Sequence, residues 1–164
     1  MTTVTDVSHP APARRPVTHW LTGLLDDRAE RSPWRLAAVV AAAGMAVSHI
    51  PVIEKHLSEA PYIGIGFVLL TIAGLVLMQL LLTRDTFLTW VATLVLSALA
   101  LLGYLLSRTV GLPQITDDVG NWGEPLGLVA IVSEAILLIT AIAHLTTRTP
   151  TADHSSTPQP QPDK

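Results

Sequence analysis

Two histidines near the end of the first apolar block could bind a metal ion, and their spacing decides whether they can bind the same one. His49 and His56 are seven residues apart, so on one continuous helix they share a face but lie about 10 Å apart. A metal ion needs ligand atoms about 2 Å away, so the two could hold one ion only if the chain bends at Pro51. Mixed nitrogen and oxygen ligands would favour zinc or copper(II) over copper(I), and haem is the other cofactor considered for this pair.

A glutamate stands alone in the last apolar block. Glu134 follows Pro125 by nine residues, which puts it about 13 Å into a bilayer at the helical rise. An isolated carboxylate at that depth costs about 2.5–3.5 kcal/mol on insertion scales. We therefore expect Glu134 to face other helices and to be paired or protonated, either as a functional acid or as a structural tie. Its candidate neighbours are Arg108, His49, Tyr104 and Ser133, with Arg108 as the expected partner.

A third group of polar residues lies in two loops. Residues 107–124 form a connection longer than two helices need, and long ordered loops are often functional. Asp117 and Asp118 are adjacent, so only one is expected to point at any shared site. The alternative is a solvated acidic loop, with Glu124 near a helix N-terminus. The candidate binding residues are His49, His56, Glu59, Arg108, Asp117, Asp118, Trp122, Glu124 and Glu134.

Four long apolar blocks must position these side chains. The 164-residue chain is 49% hydrophobic and 14% charged, with a mean hydropathy of +0.47, whereas soluble domains carry about a quarter charged residues. The blocks cover residues 34–53, 62–83, 87–106 and 126–145, each close to the roughly 20 residues that a helix needs to cross a bilayer. We predict an all-α membrane protein with a four-transmembrane-helix bundle in residues 33–148. Five glycines are expected to permit close helix packing: Gly64, Gly66, Gly74, Gly103 and Gly127.

The chain on either side of the bundle has a different composition. Residues 1–17 and 149–164 are too polar and proline-rich to bury a core, so both are predicted to be disordered tails. Residues 18–32 contain a cluster of Trp and Leu that predicts either an interfacial helix or an ordinary linker.

Basic residues are unevenly distributed between the two sides of the predicted bundle. Lys55 and Arg108 are the basic residues of loops 54–61 and 107–124, where acids outnumber them. The other side carries Arg28, Arg31, Arg35, Arg84 and Arg148. The positive-inside rule then predicts a plasma-membrane protein with both termini cytoplasmic and those two loops facing outward. The same boundaries place four aromatic rings and one histidine near membrane interfaces: Trp34, Tyr62, Trp90, Tyr104 and His144.

Several function classes are disfavoured by composition. The chain has no cysteine, which excludes a disulfide, a thiolate metal site and an Fe–S cluster formed by this chain. Its net charge of −3 gives no case for nucleic-acid binding. No phosphate loop, Ser-His-Asp pattern or HExxH motif is present. We therefore expect a non-enzymatic protein.

Several short motifs carry a family resemblance. They are HLSEAPYIG at residues 56–64, SRTVGLPQ at 107–114, DDVGNW at 117–122 and EPLG at 124–127. The chain resembles small four-helix membrane proteins of high-GC Gram-positive bacteria over about its middle two-thirds. The resemblance implies the four-helix topology and marks the two loops, but it implies no activity and no catalytic residue.

Three hypotheses for function follow. The first is a binding or accessory protein in the bilayer. Its outward loops, with their histidines and acids, would bind a cation or haem, or dock a partner of a membrane complex. The second is a proton-coupled small transporter, or a subunit of one, that uses Glu134. Four helices are few for a transport path, so the transporter hypothesis requires a homodimer. The third is a purely structural subunit of a cell-envelope complex.

Overall fold

The computed structural model describes residues 32–147, which form helices joined by short turns and one long loop. The helices are α1 (Arg35–His49), α2 (Ile53–Glu59), α3 (Pro61–Thr83), α4 (Phe87–Thr109) and α5 (Pro125–Thr147), with a 3₁₀ turn at Ile50–Val52 between α1 and α2. By length and composition four segments could cross a membrane: Arg35–Glu59, Pro61–Thr83, Phe87–Thr109 and Pro125–Thr147. The predicted all-helical bundle with four spans is confirmed at this level. The predicted tails and residues 18–31 of the predicted interfacial segment lie outside the described residues.

Local chemistry explains where the helices begin. Pro61 and Pro125 occupy the first helical positions of α3 and α5, where a missing N–H costs nothing. Thr86 caps α4 because its side chain accepts a hydrogen bond from the backbone N–H of Thr89. Helix α1 begins at Arg35, and its cap residue, Trp34, makes no side-chain cap bond. The first span is longer than predicted.

The packing order of the long helices leaves one cleft. Helix α1 packs against both α3 and α5, and α4 packs against α5, whereas α3 and α4 touch only slightly. The core is built largely from small residues of α1, which let its neighbours approach closely. The buried core residues are Ala38, Ala41, Ala42, Met45, Leu81, Trp90, Leu137 and Ala141. A cleft therefore remains between α3 and α4.

Two of the five glycines predicted to mediate packing do not do so. A Cβ added at Gly64 would lie 2.6 Å from the backbone N of Leu57, and one at Gly74 would lie 2.8 Å from the Met45 methyl carbon. A Cβ at Gly127 would lie 3.1 Å from the ring of Tyr104. Gly66 and Gly103 instead face open space, with nothing within 4 Å of an added Cβ. The packing prediction is wrong for these two, because each lies on the α3–α4 cleft.

At the end of the bundle that carries the α3–α4 turn, which we call the turn end, one carboxylate accepts hydrogen bonds from two separate segments of the chain. Asp85 accepts hydrogen bonds from the Trp90 indole N–H and from the backbone N–H of Ser32. Trp90 is fully buried and stacks on the ring of His144 at 4.3 Å between centroids. The position of Trp90 and His144 near a membrane interface stays a prediction, and both rings are covered by neighbouring helices. Asp85 thus ties the start of α1 to the start of α4.

Replacing Asp85 by Asn should destabilise the protein without abolishing folding. Asparagine keeps one side-chain acceptor, so one of the two donors loses its charge-assisted bond, at a cost of about 1 kcal/mol. Unfolding in mixed micelles, followed by circular dichroism, measures the change. Thr83→Ala is the control, since the hydroxyl of this exposed residue bonds only to Gln79 of its own helix. Equal stability of Asp85→Asn and the unmodified protein would show that Asp85 does not hold this end.

Candidate binding cavity

The loop of residues 110–124, here called the cap, folds over the other end of the bundle. Its first turn reverses through a Leu112–Ile115 bridge, with Gly111 at φ +82° and Gln114 at φ 69°. Ile115 is buried against Ala60 and Ile63. A further tie comes from α3, where the Tyr62 hydroxyl donates a 2.6 Å hydrogen bond to the Pro113 carbonyl. The cap is therefore tied to the bundle by packing and hydrogen bonds, although most of its residues are exposed.

Arg108 anchors the cap to α4. Its Nη1 lies 2.8 Å from Asp118 Oδ1 and its Nη2 lies 2.6 Å from Glu124 Oε2. The guanidinium carbon also lies 5.1 Å from the centre of the Tyr104 ring. Arg108 is only 4% exposed, and its Nε has no hydrogen-bond partner among the described residues. The expectation that Arg108 holds Glu134 is wrong, because two cap carboxylates at its own level take both ends of the guanidinium.

A cavity of about 520 Å³ lies beneath the cap, in the cleft between α3 and α4. One side is apolar and is formed by side chains of both helices, among them Leu70, Leu96, Leu99 and Ala100. Gly66 and Gly103 widen it. The polar groups come from the cap, from the cap-side ends of α3 and α4, and from α1, α2 and α5: Ser48, His49, Lys55, His56, Tyr62, Tyr104, Ser107, Arg108, Asp118, Asn121, Glu124 and Glu134. The cavity is thus amphipathic, with polar groups at its cap and on its inner wall.

A histidine and a glutamate meet on the inner wall. His49 Nδ1 lies 2.6 Å from the Met45 carbonyl oxygen, which can only accept, so Nδ1 carries the hydrogen. His49 Nε2 then lies 3.8 Å from Glu134 Oε1, which is too long for a hydrogen bond. Glu134 is 1% exposed, and its Oε2 has no hydrogen-bond partner in the part of the chain that the structure describes. Both residues line the cavity, and both keep unused hydrogen-bonding capacity, at Oε2 of Glu134 and at Nε2 of His49.

The two histidines do not form the predicted metal site. Both rings contact Phe67, at centroid distances of 5.1 Å for His49 and 4.8 Å for His56. His56 Nδ1 donates to the Val52 carbonyl at 2.7 Å. Within residues 32–147 no group of three or more His, Asp or Glu side chains could hold a metal ion. The geometry gives no support to zinc, copper or haem at these histidines.

The structure brings together six of the nine candidate binding residues. His49, His56, Arg108, Asp118, Glu124 and Glu134 all line the cavity. The remaining three, Glu59, Asp117 and Trp122, do not line it and are exposed. Trp122 instead packs edge-on against Tyr104, at 6.2 Å between ring centroids.

Two parts of the cavity wall, one on α4 and one on α3, carry only weak sequence signals. Tyr104, Ser107 and Arg108 recur at helical spacing, which places three polar groups on one face of α4. That pattern could have marked the cavity wall. Phe67 has no such signal, because a single Phe in an apolar span is typical of a lipid-facing or core residue.

Comparison with known proteins gives no relative for this chain. No protein-family model, curated protein or solved structure matches it. The resemblance to small four-helix membrane proteins stays a prediction.

Proposed function

We propose that this protein is a non-enzymatic membrane protein that binds an amphipathic small molecule in the cavity between α3 and α4. The observation that carries the proposal is one cavity with an apolar wall and a buried, incompletely bonded Glu134 beside His49. Small-molecule sites enclose roughly 300–1,000 Å³, are mostly apolar and contain a few convergent polar groups. The volume of about 520 Å³ lies within that range.

The ligand would enter from the lipid phase. Leu99 lines the cavity and is nevertheless 61% exposed, and Gly66 is also exposed. Residues that both line a cavity and face outward mark an opening, and here the opening lies between two helices long and apolar enough to cross a membrane. The cap covers the end of the cavity, so the lateral opening is the simplest route for an apolar molecule.

Filling the cavity should abolish binding. Gly103 lines the cavity, and an added Cβ there meets nothing within 4 Å, so Gly103→Leu should occupy the cavity without displacing helices. The probe is a long-chain alcohol with a photoreactive diazirine, applied to protein in nanodiscs, and labelled peptides are identified by mass spectrometry. We expect labelling of the α3 and α4 cavity residues, and a fall of roughly tenfold or more in Gly103→Leu, since its side chain and the probe compete for one volume.

The matched control adds the same side chain on the outer surface of the same helix. Ala98 is exposed and does not line the cavity, so the cavity residues of Ala98→Leu should be labelled as strongly as those of the unmodified protein. Labelling spread evenly over lipid-facing residues, or unchanged in Gly103→Leu, would contradict the proposed function.

We further propose that both termini are cytoplasmic and that the cap faces the outside of the cell membrane, as the distribution of basic residues favours. The absence of cysteine allows a clean test with single introduced cysteines. In whole cells, a membrane-impermeant maleimide should label Ser58→Cys near the end of α2 and should label Thr147→Cys only after lysis. Both positions are exposed. The reverse pattern would invert the proposed orientation.

Proton-coupled transport is a second candidate, favoured by the His49–Glu134 pair inside the cavity. Both groups can exchange protons, and both lie within membrane-length helical segments. This function would need a second copy of the chain to complete a path. Proton flux in proteoliposomes should then fall strongly in Glu134→Gln, and unchanged flux would remove this candidate.

A further inference from the structure

We infer that the ligand of the cavity is an amphipathic ammonium, meaning a molecule with an apolar body and a protonated amine that keeps at least one N–H. The inference rests on the proposed function, because it names the chemical class that this binding site would accept. It is carried by the unpartnered oxygen of Glu134, the charge balance of the cavity and the character of its walls.

The unpartnered oxygen of Glu134 would be satisfied by a ligand that carries a hydrogen-bond donor. Glu134 is almost fully buried, lines the cavity and leaves Oε2 without a hydrogen-bond partner among residues 32–147. Buried polar groups are nearly always hydrogen-bonded. An ammonium N–H donated to Oε2 would satisfy the carboxylate and compensate its charge in one contact. A ligand that carries only acceptors would leave the oxygen unsatisfied.

The charges that line the cavity favour a cation over an anion. The lining carboxylates are Asp118, Glu124 and Glu134, and the lining cations are Lys55 and Arg108. Arg108 is already held by two carboxylates, at 2.8 Å and 2.6 Å, and Lys55 is exposed. Among the described residues, an anionic head group on the inner wall would therefore meet Glu134 and no buried Lys or Arg that is free of carboxylate partners. Repulsion between like charges would exclude it.

The walls suit the remainder of such a molecule. Phe67 and Tyr104 line the cavity on its two sides, and aromatic faces attract organic cations. Leu70, Leu96 and Leu99 provide apolar surface for an alkyl or aromatic body. The body would lie toward the lateral opening and the ammonium toward Glu134. An amphiphile that enters from lipid with its head group first would take this orientation.

The test uses photoreactive probes of one chain length that differ only in head group: a primary amine, a trimethylammonium, an alcohol and a carboxylate. Each is applied to the full chain in nanodiscs of neutral lipid, and cavity labelling is normalised to labelling of lipid-facing α3 residues. We expect the amine to label the cavity roughly tenfold more than the alcohol, the effect of one charge-assisted hydrogen bond. The carboxylate should label least, and the trimethylammonium should fall below the amine because it has no N–H.

Glu134→Gln should reduce labelling by the amine to the level of the alcohol, whereas Glu59→Gln should not, because Glu59 lies outside the cavity. The head-group series on the unmodified chain needs no variant, so it decides the question even if Glu134→Gln does not fold. Equal cavity labelling by amine and alcohol would overturn the inference and leave the proposed function standing. Cavity labelling by none of the probes would overturn both.

Discussion

Arg108→Met should lower the free energy of unfolding by about 3 kcal/mol. Removing one partner of a buried ion pair typically costs 3–5 kcal/mol, because the remaining charge is left uncompensated. The lower end applies here, since the side chains of Asp118 and Glu124 are 27% and 34% exposed and water can reach them. Unfolding in mixed micelles measures the loss.

The loss should be accompanied by loosening of the cap. Arg108 binds Asp118 within the cap and Glu124 at its end, and its backbone carbonyl accepts from the Gly120 N–H at 2.9 Å. Without the guanidinium, the backbone amides of residues 110–124 should exchange hydrogen faster than in the unmodified protein. The transmembrane part of α1 should be unaffected, because none of these contacts involves it.

Two further variants separate charge from geometry. Arg108→Lys keeps the charge but lacks the planar fork that reaches both carboxylates, so it should recover only part of the stability. Adding Asp118→Asn and Glu124→Gln to Arg108→Met removes the uncompensated charges and should also recover part of it. A cap that stays protected in Arg108→Met, with stability within about 0.5 kcal/mol of the unmodified protein, would show that the cluster does not anchor it.

The four membrane-length helices were predictable from the sequence, but the pairing of the polar residues was predicted incorrectly. The apolar blocks and the prolines at 61 and 125 indicated the four helices and the starts of two of them, because these features are local. The expected Arg108–Glu134 pair failed because Arg108 lies at the end of α4, at the level of the cap. Glu134 lies about 13 Å along α5 from Pro125.

The placement of His49, one of the four candidate neighbours, beside Glu134 depended on where the first span ends. The sequence prediction ended it near residue 53, which puts His49 close to the surface. The structure continues the segment through the 3₁₀ turn to Glu59, ten residues beyond His49 and about 15 Å at the helical rise. His49 and Glu134 therefore lie at similar depth. The rotation of α1 that turns His49 toward Glu134 arises from packing of small residues against α3 and α5, which no local pattern encodes.

Substituting one glycine of α3 should have the opposite effect from substituting the next glycine along the helix. Gly64→Ala should destabilise the protein by about 3 kcal/mol, the upper part of the usual range for overpacking. The added Cβ would lie 2.6 Å from the backbone N and 2.7 Å from the Cα of Leu57. Backbone atoms cannot rotate away as a flexible side chain can, so α2 as a whole must move. Unfolding in mixed micelles again provides the measurement.

Gly66→Ala is the matched control, two residues further along the same helix. An added Cβ there meets nothing within 4 Å, so the substitution should be neutral or stabilise by about 0.5–1 kcal/mol through helix propensity. If both variants lose the same stability, the cause is a general intolerance of α3 to substitution and not the contact with α2.

The Gly64 substitution should also reach the cavity, because α2 carries His56. The His56 ring packs edge-on against Phe67 of α3 at 4.8 Å, and both residues line the cavity. Moving α2 away from Gly64 separates this pair and opens the wall opposite α4. Gly64→Ala should therefore weaken cavity labelling by the alcohol probe at temperatures where the variant is still folded, whereas Gly66→Ala, which adds one methyl group at the opening of the cavity, should weaken it much less. Unchanged labelling in a destabilised Gly64→Ala would mean that α2 supports the bundle without shaping the binding site.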